Sequence, residues 1–177
     1  MNLEYKHLLD GNFHSDSKVW VYQSSRLFAI NEALEIEKML KQFTVEWMSH
    51  GVKVKGAAYL FFGQSIVLMA DETATGISGC STDSSVRLIK EIEQRFRVNM
   101  FERTSLAFII KDKSDNYRIE ILPLAQLQYA VENGFITGDT LYFNNLVQTK
   151  EELENKWIIP VKESWLSKKI SFQKSIQ

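Results

Sequence analysis

The order in which two hydrophobic periodicities alternate along the chain is the feature that most constrains its fold. Residues 19–23 (VWVYQ), 52–62, 65–70 (SIVLMA) and 106–112 (LAFIIKD) are rich in β-branched and aromatic side chains, which is typical of strands. Two segments between them repeat apolar residues every three or four positions, as amphipathic helices do. The first helical stripe is Ala33, Ile36, Leu40, Phe43 and Trp47, and the second is Leu88, Ile89, Ile92 and Phe96. The order predicts an α+β fold with a ferredoxin-like βαββαβ core, or a similar antiparallel-sheet sandwich.

Local signals set the expected ends of these elements. Asn31 is a favourable residue to cap the first helix, and Gly51 is expected to end it. The pair Gly63-Gln64 predicts a tight hairpin between two strands, because glycine supplies the positive φ that such turns need. The continuously apolar run SIVLMA predicts a central strand that is covered on both faces.

The C-terminal part of the sequence predicts an appendage to this core. A strand at 117–122 is expected to extend the main sheet, and Pro123 can open a helix over residues 124–132. A short strand at 140–143 and a helix capped by Thr149 follow. No Pro-, Gly- or Ser-rich linker separates the parts. We therefore predict one domain over residues 1–177, with a core at 18–122 and a C-terminal α/β appendage at 123–170.

Composition excludes several classes of function. The net charge of -1 and the pI near 6.3 provide no global basic field, so nucleic-acid binding is disfavoured. The single cysteine, Cys80, cannot form an intramolecular disulfide or a multi-cysteine metal site. The histidines lack metal-binding spacing, and no window reaches the ~20 apolar residues of a membrane span. These observations predict a soluble, cytoplasmic protein with no metal, no cofactor and no membrane association.

One loop is the best candidate for a binding site. Residues 71–85 leave an apolar strand and enter a helix N-terminus, where free N–H groups and the helix dipole favour anions. Glycines let the backbone approach a ligand, and hydroxyls add donors, as an anion or phosphate cradle requires. The same residue types also suit an ordinary turn and helix cap. The candidate ligand-binding residues are Gly76, Ser78, Gly79, Cys80, Ser81, Thr82 and Arg103.

Catalytic motifs are missing from this loop. Asp71 and Cys80 are weak catalytic candidates, because a carboxylate ends a strand and a thiol lies near a helix N-terminus. No lysine lies between residues 71 and 85 to complete a Walker A loop, and six residues separate Cys80 from Arg87 instead of the five of a phosphatase loop. GxGxxG and GxSxG are absent. The motifs weigh against an enzyme without deciding the question.

Four strings resemble a family of small uncharacterised bacterial proteins. They are DGNFHSDSKVWVYQSSRLF, LMADETATGISGCSTDSSVRLIKEIEQ, NMFERTSLAF and TLYFNNLVQTKEELENKWIIPVKESWL. The resemblance runs from about residue 10 to residue 166 and implies a bacterial cytosolic protein. Members often carry the label "ABC transporter ATPase". This chain lacks the phosphate-cradling lysine, so we expect no ABC-type ATPase and carry over no functional residue.

Two functions follow as hypotheses. The first is a non-catalytic binding or interaction module with an unknown protein partner or self-association, because aromatic residues make up 12% of the chain and catalytic motifs are missing. The alternative is a small-anion or phosphate-ligand-binding protein, or an enzyme, that uses the loop of residues 71–85.

Overall fold

The computed structural model describes residues 2–49, 51–71, 79–111 and 116–171, and residues 79–81 in their backbone only. It confirms an α+β fold in which the described strands pair antiparallel throughout. The strands are β1 (Lys18–Gln23), β2 (Met48–Ser49), β3 (Val52–Lys53), β4 (Lys55–Phe61), β5 (Ser65–Asp71), β6 (Ser105–Lys111), β7 (Tyr117–Pro123), β8 (Leu141–Phe143) and β9 (Ile158–Pro160). The helices are α1 (Ile30–Glu46), α2 (Gly79–Phe96), α3 (Leu127–Glu132) and α4 (Lys150–Lys156).

The chain groups into two compact units. The larger unit comprises Leu3–Glu102 and Asn145–Asn155, and the smaller unit comprises Met1–Asn2, Arg103–Asn144 and Lys156–Gln177. The borders of the units differ from the expected border between residues 122 and 123, because β6 and β7 belong to the smaller unit. The single-domain organisation stays a prediction.

The larger unit contains a three-stranded sheet in the order β1-β5-β4. β5 is buried along its whole length, which confirms the central strand that SIVLMA predicts. The hairpin between β4 and β5 is also confirmed, although its turn includes Phe62. Both Phe62 and Gly63 have positive φ, at 56° and 62°. The aromatic ring of Phe62 lies 6.1 Å from that of Tyr5, so packing holds a non-glycine residue in the left-handed region.

The ferredoxin-like arrangement is not confirmed. The order β1-β5-β4 matches the first, third and second strands of a βαββαβ unit, but β6 does not join this sheet. β6 pairs with β7 and β8 in a separate sheet of order β7-β6-β8-β9. The physical reason is its apolar face: Phe108 of β6 packs in a core with Tyr142, Val161 and Leu166, which come from the end of the chain.

Both long helices of the larger unit lie on one face of its sheet. Ile36 and Leu40 of α1 share a core with Ile89 and Ile92 of α2 and with Leu68 of β5. This confirms the two apolar stripes of the sequence.

The expected ends of α1 are wrong. The helix begins at Ile30 and ends at Glu46, and Gly51 lies instead between β2 and β3 with φ of 78°. The side chain that caps the start of the helix is that of Glu32, not Asn31. Its carboxylate accepts a hydrogen bond from the Ala29 N–H at 2.8 Å.

The other face of the sheet is covered by the start of the chain. Tyr5 is buried, and its hydroxyl donates to the Leu153 carbonyl of α4 at 2.5 Å. The buried Lys150 Nζ donates to the Phe13 carbonyl at 3.1 Å. An N-terminal segment and α4 therefore close the side of the sheet that faces away from α1 and α2.

Trp47 joins α1 to β4. Its side chain is 1% exposed, and its ring lies 4.7 Å from that of Phe43 and 6.2 Å from that of Trp20. A Cβ atom on Gly56 would lie 2.5 Å from the Trp47 Cε3 atom. Glycine is therefore required at this position for the indole to lie directly on the strand.

We expect Gly56→Ala to lower the free energy of unfolding by ~1–3 kcal/mol, because the added methyl overlaps the buried indole. Urea denaturation followed by tryptophan fluorescence measures the change. Gly11→Ala is the matched control, since a Cβ there meets no atom within 4 Å. Equal stability of the two variants would contradict the role assigned to the contact between Trp47 and Gly56.

A second prediction concerns acid stability. Two hydrogen bonds from Arg26, at 2.7 and 2.9 Å, and then the bond from the Ala29 N–H lower the pKa of Glu32 from 4.5 to about 2. A carboxylate with a depressed pKa stabilises the fold above pH 4.5, and this contribution is lost as the pH falls from 4.5 to about 2. The unfolding free energies of wild type and Glu32→Gln should thus differ most above pH 4.5 and converge toward pH 2. A difference that is constant with pH would contradict this account.

Candidate functional site

The structure places Asp71 in a structural ion pair at the end of β5. Its side chain is 4% exposed, and its Oδ2 lies 2.7 Å from the Nζ of Lys55. The same Nζ donates to the Asn12 carbonyl at 2.7 Å and lies 5.0 Å from the centre of the Phe13 ring. Lys55 therefore connects the buried carboxylate to the N-terminal segment. This arrangement gives Asp71 a structural role, and its candidate role in catalysis stays a prediction.

Much of the predicted loop lies outside the described residues. Gly76 and Ser78 are among residues 72–78, and the side chains of Cys80 and Ser81 also fall outside the description. Gly79 begins α2, so a helix N-terminus follows the loop as the sequence predicts. The candidate roles of these residues in binding, and of Cys80 in catalysis, stay predictions.

One hydroxyl at the described end of the loop is bound within the protein. The buried Ser85 donates from its Oγ to the Thr82 carbonyl at 2.7 Å, within the first turns of α2. Arg103 is exposed and belongs to the smaller unit. The role of these candidates as one binding site stays a prediction.

The larger unit does carry an open groove between α1 and α2. Its volume is about 830 Å³. The apolar side chains of its floor come from both helices and from the residues that follow α1: Met39, Phe43, Trp47, Met48 and Leu88. Polar and charged side chains form its rim: Glu35, Lys38, Gln42, Glu46, Ser84, Arg87, Glu91 and Arg95. The groove thus combines an apolar floor with a rim that carries three acids and three bases.

Contacts inside the unit fix the shape of this groove. At one end Glu35 of α1 forms an ion pair with Arg95, which lies near the end of α2. At the other end β2, which follows α1, contacts α2, so the two helices run antiparallel along the groove. The helical lining residues of α1 span 35–46, which at 1.5 Å per residue is roughly 16 Å.

Sequence reasoning assigned Phe43, Trp47 and Leu88 to the core and did not single out the groove. The assignment is confirmed for Trp47 and Leu88, which are buried. Phe43 is only partly buried, and so is its neighbour Met39. The sequence feature that could have indicated the groove is the width of the apolar stripe on α1. Met39 and Phe43 lie beside Ile36 and Leu40, so the apolar face is broader than one row of core contacts needs.

Two further features are absent from the described residues. Within them, no three His, Cys, Asp or Glu side chains come together in a way that could hold a metal ion. None of the helices in the described part of the chain is both long enough and apolar enough to span a membrane.

Comparison of the chain with protein-family models, with curated proteins and with solved structures gives no match. The resemblance noted from the sequence therefore stays a prediction.

We expect Lys55→Met to lower the free energy of unfolding by ~1–3 kcal/mol, because the variant leaves the buried Asp71 carboxylate without its cation. Asp71→Asn is expected to cost less, since the neutral amide needs no counter-charge. Chemical denaturation measures both, with the exposed Lys53→Met as the matched control. A larger loss for Asp71→Asn than for Lys55→Met would contradict the structural role of this pair.

Proposed function

We propose that this protein is a non-catalytic binding module that holds a short amphipathic helix of a protein partner in the groove between α1 and α2. The observation that carries the proposal is the groove itself, with its apolar floor and charged rim. Two antiparallel helices with a furrow between them present the kind of surface that accepts the apolar face of a third helix.

The chemistry of the floor supports an apolar ligand face. Met39 and Phe43 are partly buried, and Met48 remains 45% exposed. Methionine side chains adapt to ligands of differing shape because they are unbranched and polarisable. The Trp47 ring lies 4.7 Å from that of Phe43 and is buried, so it supports Phe43 from inside the core. Phe43 is the aromatic side chain of the floor that a partner can contact, and aromatic residues contribute strongly to binding.

The rim and the length support a helix as the ligand. Lys38 and Glu46 on α1 face Arg87 and Glu91 on α2 across the opening. Charges of both signs can pair with the polar face of an amphipathic helix and set its direction. A groove of roughly 16 Å matches a helix of about 11 residues.

The alternative, a small-anion or phosphate site in the loop of residues 71–85, stays a hypothesis. Two described members of that loop, Asp71 and Ser85, have partners within the protein. No specific observation favours this function over the groove.

The test is selection from a displayed library of amphipathic peptides about 16 residues long, followed by calorimetric titration of the selected peptides. Helical peptides are expected, and amide chemical shifts should change at residues 39–47 and 84–91. Phe43→Glu should weaken binding by at least about thirtyfold (~2 kcal/mol), because it removes a central aromatic anchor. Met48→Glu is a second variant at a more exposed position.

Leu34→Glu is the matched control, because Leu34 is exposed on α1 and lines neither this groove nor the cavity along β4. Circular dichroism checks that each variant remains folded. The proposal fails if no peptide is selected, if the selected peptides bind in extended form, or if Phe43→Glu and Met48→Glu both bind as tightly as Leu34→Glu.

A further inference from the structure

β4 is the edge strand of the sheet of the larger unit, and its outer side is open over residues 56–60. On its inner side it pairs with β5 from Lys55↔Asp71 to Phe61↔Ser65 without a bulge. On its outer side, residues 56–60 make no backbone hydrogen bond to any other part of the described chain. A regular edge with free N–H and C=O groups is a template for another strand.

The structure leaves room for such a strand. A second cavity, of about 560 Å³, runs along this edge and is lined by residues 56–61 of β4. Four residues of α1 form one wall, and the exposed Leu8 of the N-terminal segment lies on the other side. The residues on α1 are Glu37, Leu40, Lys41 and Thr44. An incoming strand would therefore find backbone partners at the edge and side-chain contacts beside it.

The edge lacks the features that usually prevent strand addition. The sequence of β4, KGAAYLF, contains no proline, and its one charged residue, Lys55, is paired with Asp71. Natural edges are commonly protected by proline, by bulges or by charges placed along the strand. Residues 56–60 therefore form an edge of five residues that is open to strand addition.

We propose that this edge is a self-association surface, at which a second copy of the chain adds its own β4 in antiparallel orientation. The two-fold axis passes through Ala58, so that Ala58 of one copy lies opposite the same residue of the other. In a two-fold dimer each subunit uses the same surface to contact its copy. The hydrogen-bonded ladder of the interface is therefore formed by β4 of the two copies alone.

Side-chain size supports this register. Pairing about Ala58 places Gly56 opposite Leu60 of the second copy, and Ala57 opposite Tyr59. Within residues 56–60 the small residues come first and the large residues last. Gly56 and Ala57 thus each face a large side chain, Ala58 faces its own copy, and no two bulky side chains of this stretch are directly opposed. The sequence is therefore complementary to itself only in the antiparallel orientation.

Charge supports the same arrangement. Glu37 and Lys41 are exposed on the α1 wall of the cavity, one helical turn apart. α1 runs antiparallel to β4, so Glu37 lies toward the Leu60 end of the strand and Lys41 toward the Gly56 end. The two-fold axis exchanges these ends. Glu37 of each copy then faces Lys41 of the other, which gives two equivalent attractive pairs.

The inference deepens the proposed function as an interaction module, but it uses a different surface from the helix groove. Glu37 and Lys41 do not line the groove between α1 and α2, and Phe43 and Met48 do not line the β4 cavity. Variants at Phe43 and Met48 therefore test peptide binding, and variants at Glu37 and Lys41 test self-association independently.

The register is tested by cross-linking. In a Cys80→Ser background, Ala58→Cys should form a disulfide-linked dimer under mild oxidation, seen on a non-reducing gel. Residues directly opposite in an antiparallel pair have Cα atoms about 4.5–5.5 Å apart, within disulfide range. Ala57→Cys is the matched control. In this register, position 57 of one subunit lies two residues away from position 57 of the other. The two Cα atoms are then more than ~7 Å apart, so Ala57→Cys should not cross-link.

The interface is tested by charge reversal, with sedimentation velocity over ~1 µM to ~1 mM as the measurement. Wild type should show a concentration-dependent dimer. Glu37→Lys alone and Lys41→Glu alone should each raise the dissociation constant about tenfold, because attraction becomes repulsion at both symmetry-related pairs. The double reversal should restore self-association, and a mixture of the two single variants should form the heterodimer.

Three results would each overturn the proposal. They are a monomer throughout the concentration range, a dimer that the charge reversals leave unchanged, and equal cross-linking at Ala58→Cys and Ala57→Cys. An edge that binds an extended peptide of another protein while the chain stays monomeric would assign the surface to a different occupant. All of these variants except the cysteines lie on the exposed face of α1, so loss of folding is not expected.

Discussion

The contact between Trp47 and Gly56 is the constraint on which the larger unit depends. The indole is almost fully buried, and it lies so close to β4 that only glycine fits beneath it. This contact fixes the end of α1 against the edge strand. Trp47 also forms part of the groove floor, and Gly56 forms part of the edge cavity. One packing contact therefore determines the position of both surfaces to which we assign binding.

Periodicity predicted the local elements well, because each depends on nearby side chains. The burial of β5 and the apolar stripes of both long helices follow directly from residue order. The ends of α1 were predicted less well. Asn31 is a good cap by residue type, but Glu32 is bound by Arg26, which lies six residues earlier and turns its carboxylate toward the Ala29 N–H. Residue preference at one position could not reveal that competition.

Sheet membership could not be predicted from strand order. β6 follows α2 just as the last strand of a βαββαβ unit would, and nothing within β6 distinguishes one sheet from another. Its partners are decided by Tyr142 and by Val161 and Leu166, more than thirty residues further along the chain. Pairing between distant segments depends on which apolar faces meet in space, and a local pattern does not contain that information.

Local sequence patterns were equally limited in predicting the candidate sites. The loop of residues 71–85 attracted attention because glycines and hydroxyls before a helix are a recognised pattern for anion binding. The groove has no such pattern, since its floor is made of residues that also satisfy the requirements of a core stripe. Asp71 illustrates the converse case. A carboxylate at the end of a strand suggested chemistry, but the partner that explains it, Lys55, lies across the ladder from it.

The sequence of α1 is divided among three environments by the 3.6-residue period of the helix. Ile36 points into the core, while Glu35, Lys38 and Glu46 line the groove on one flank. Glu37, Lys41 and Thr44 line the edge cavity on the other flank. Each flank carries both an acid and a base, so neither builds up a field of one sign that would repel a second chain. Mixed charge is common on the polar flanks of solvated helices. Here each flank also lies beside exposed apolar side chains or unpaired backbone groups, as the two proposed interfaces require.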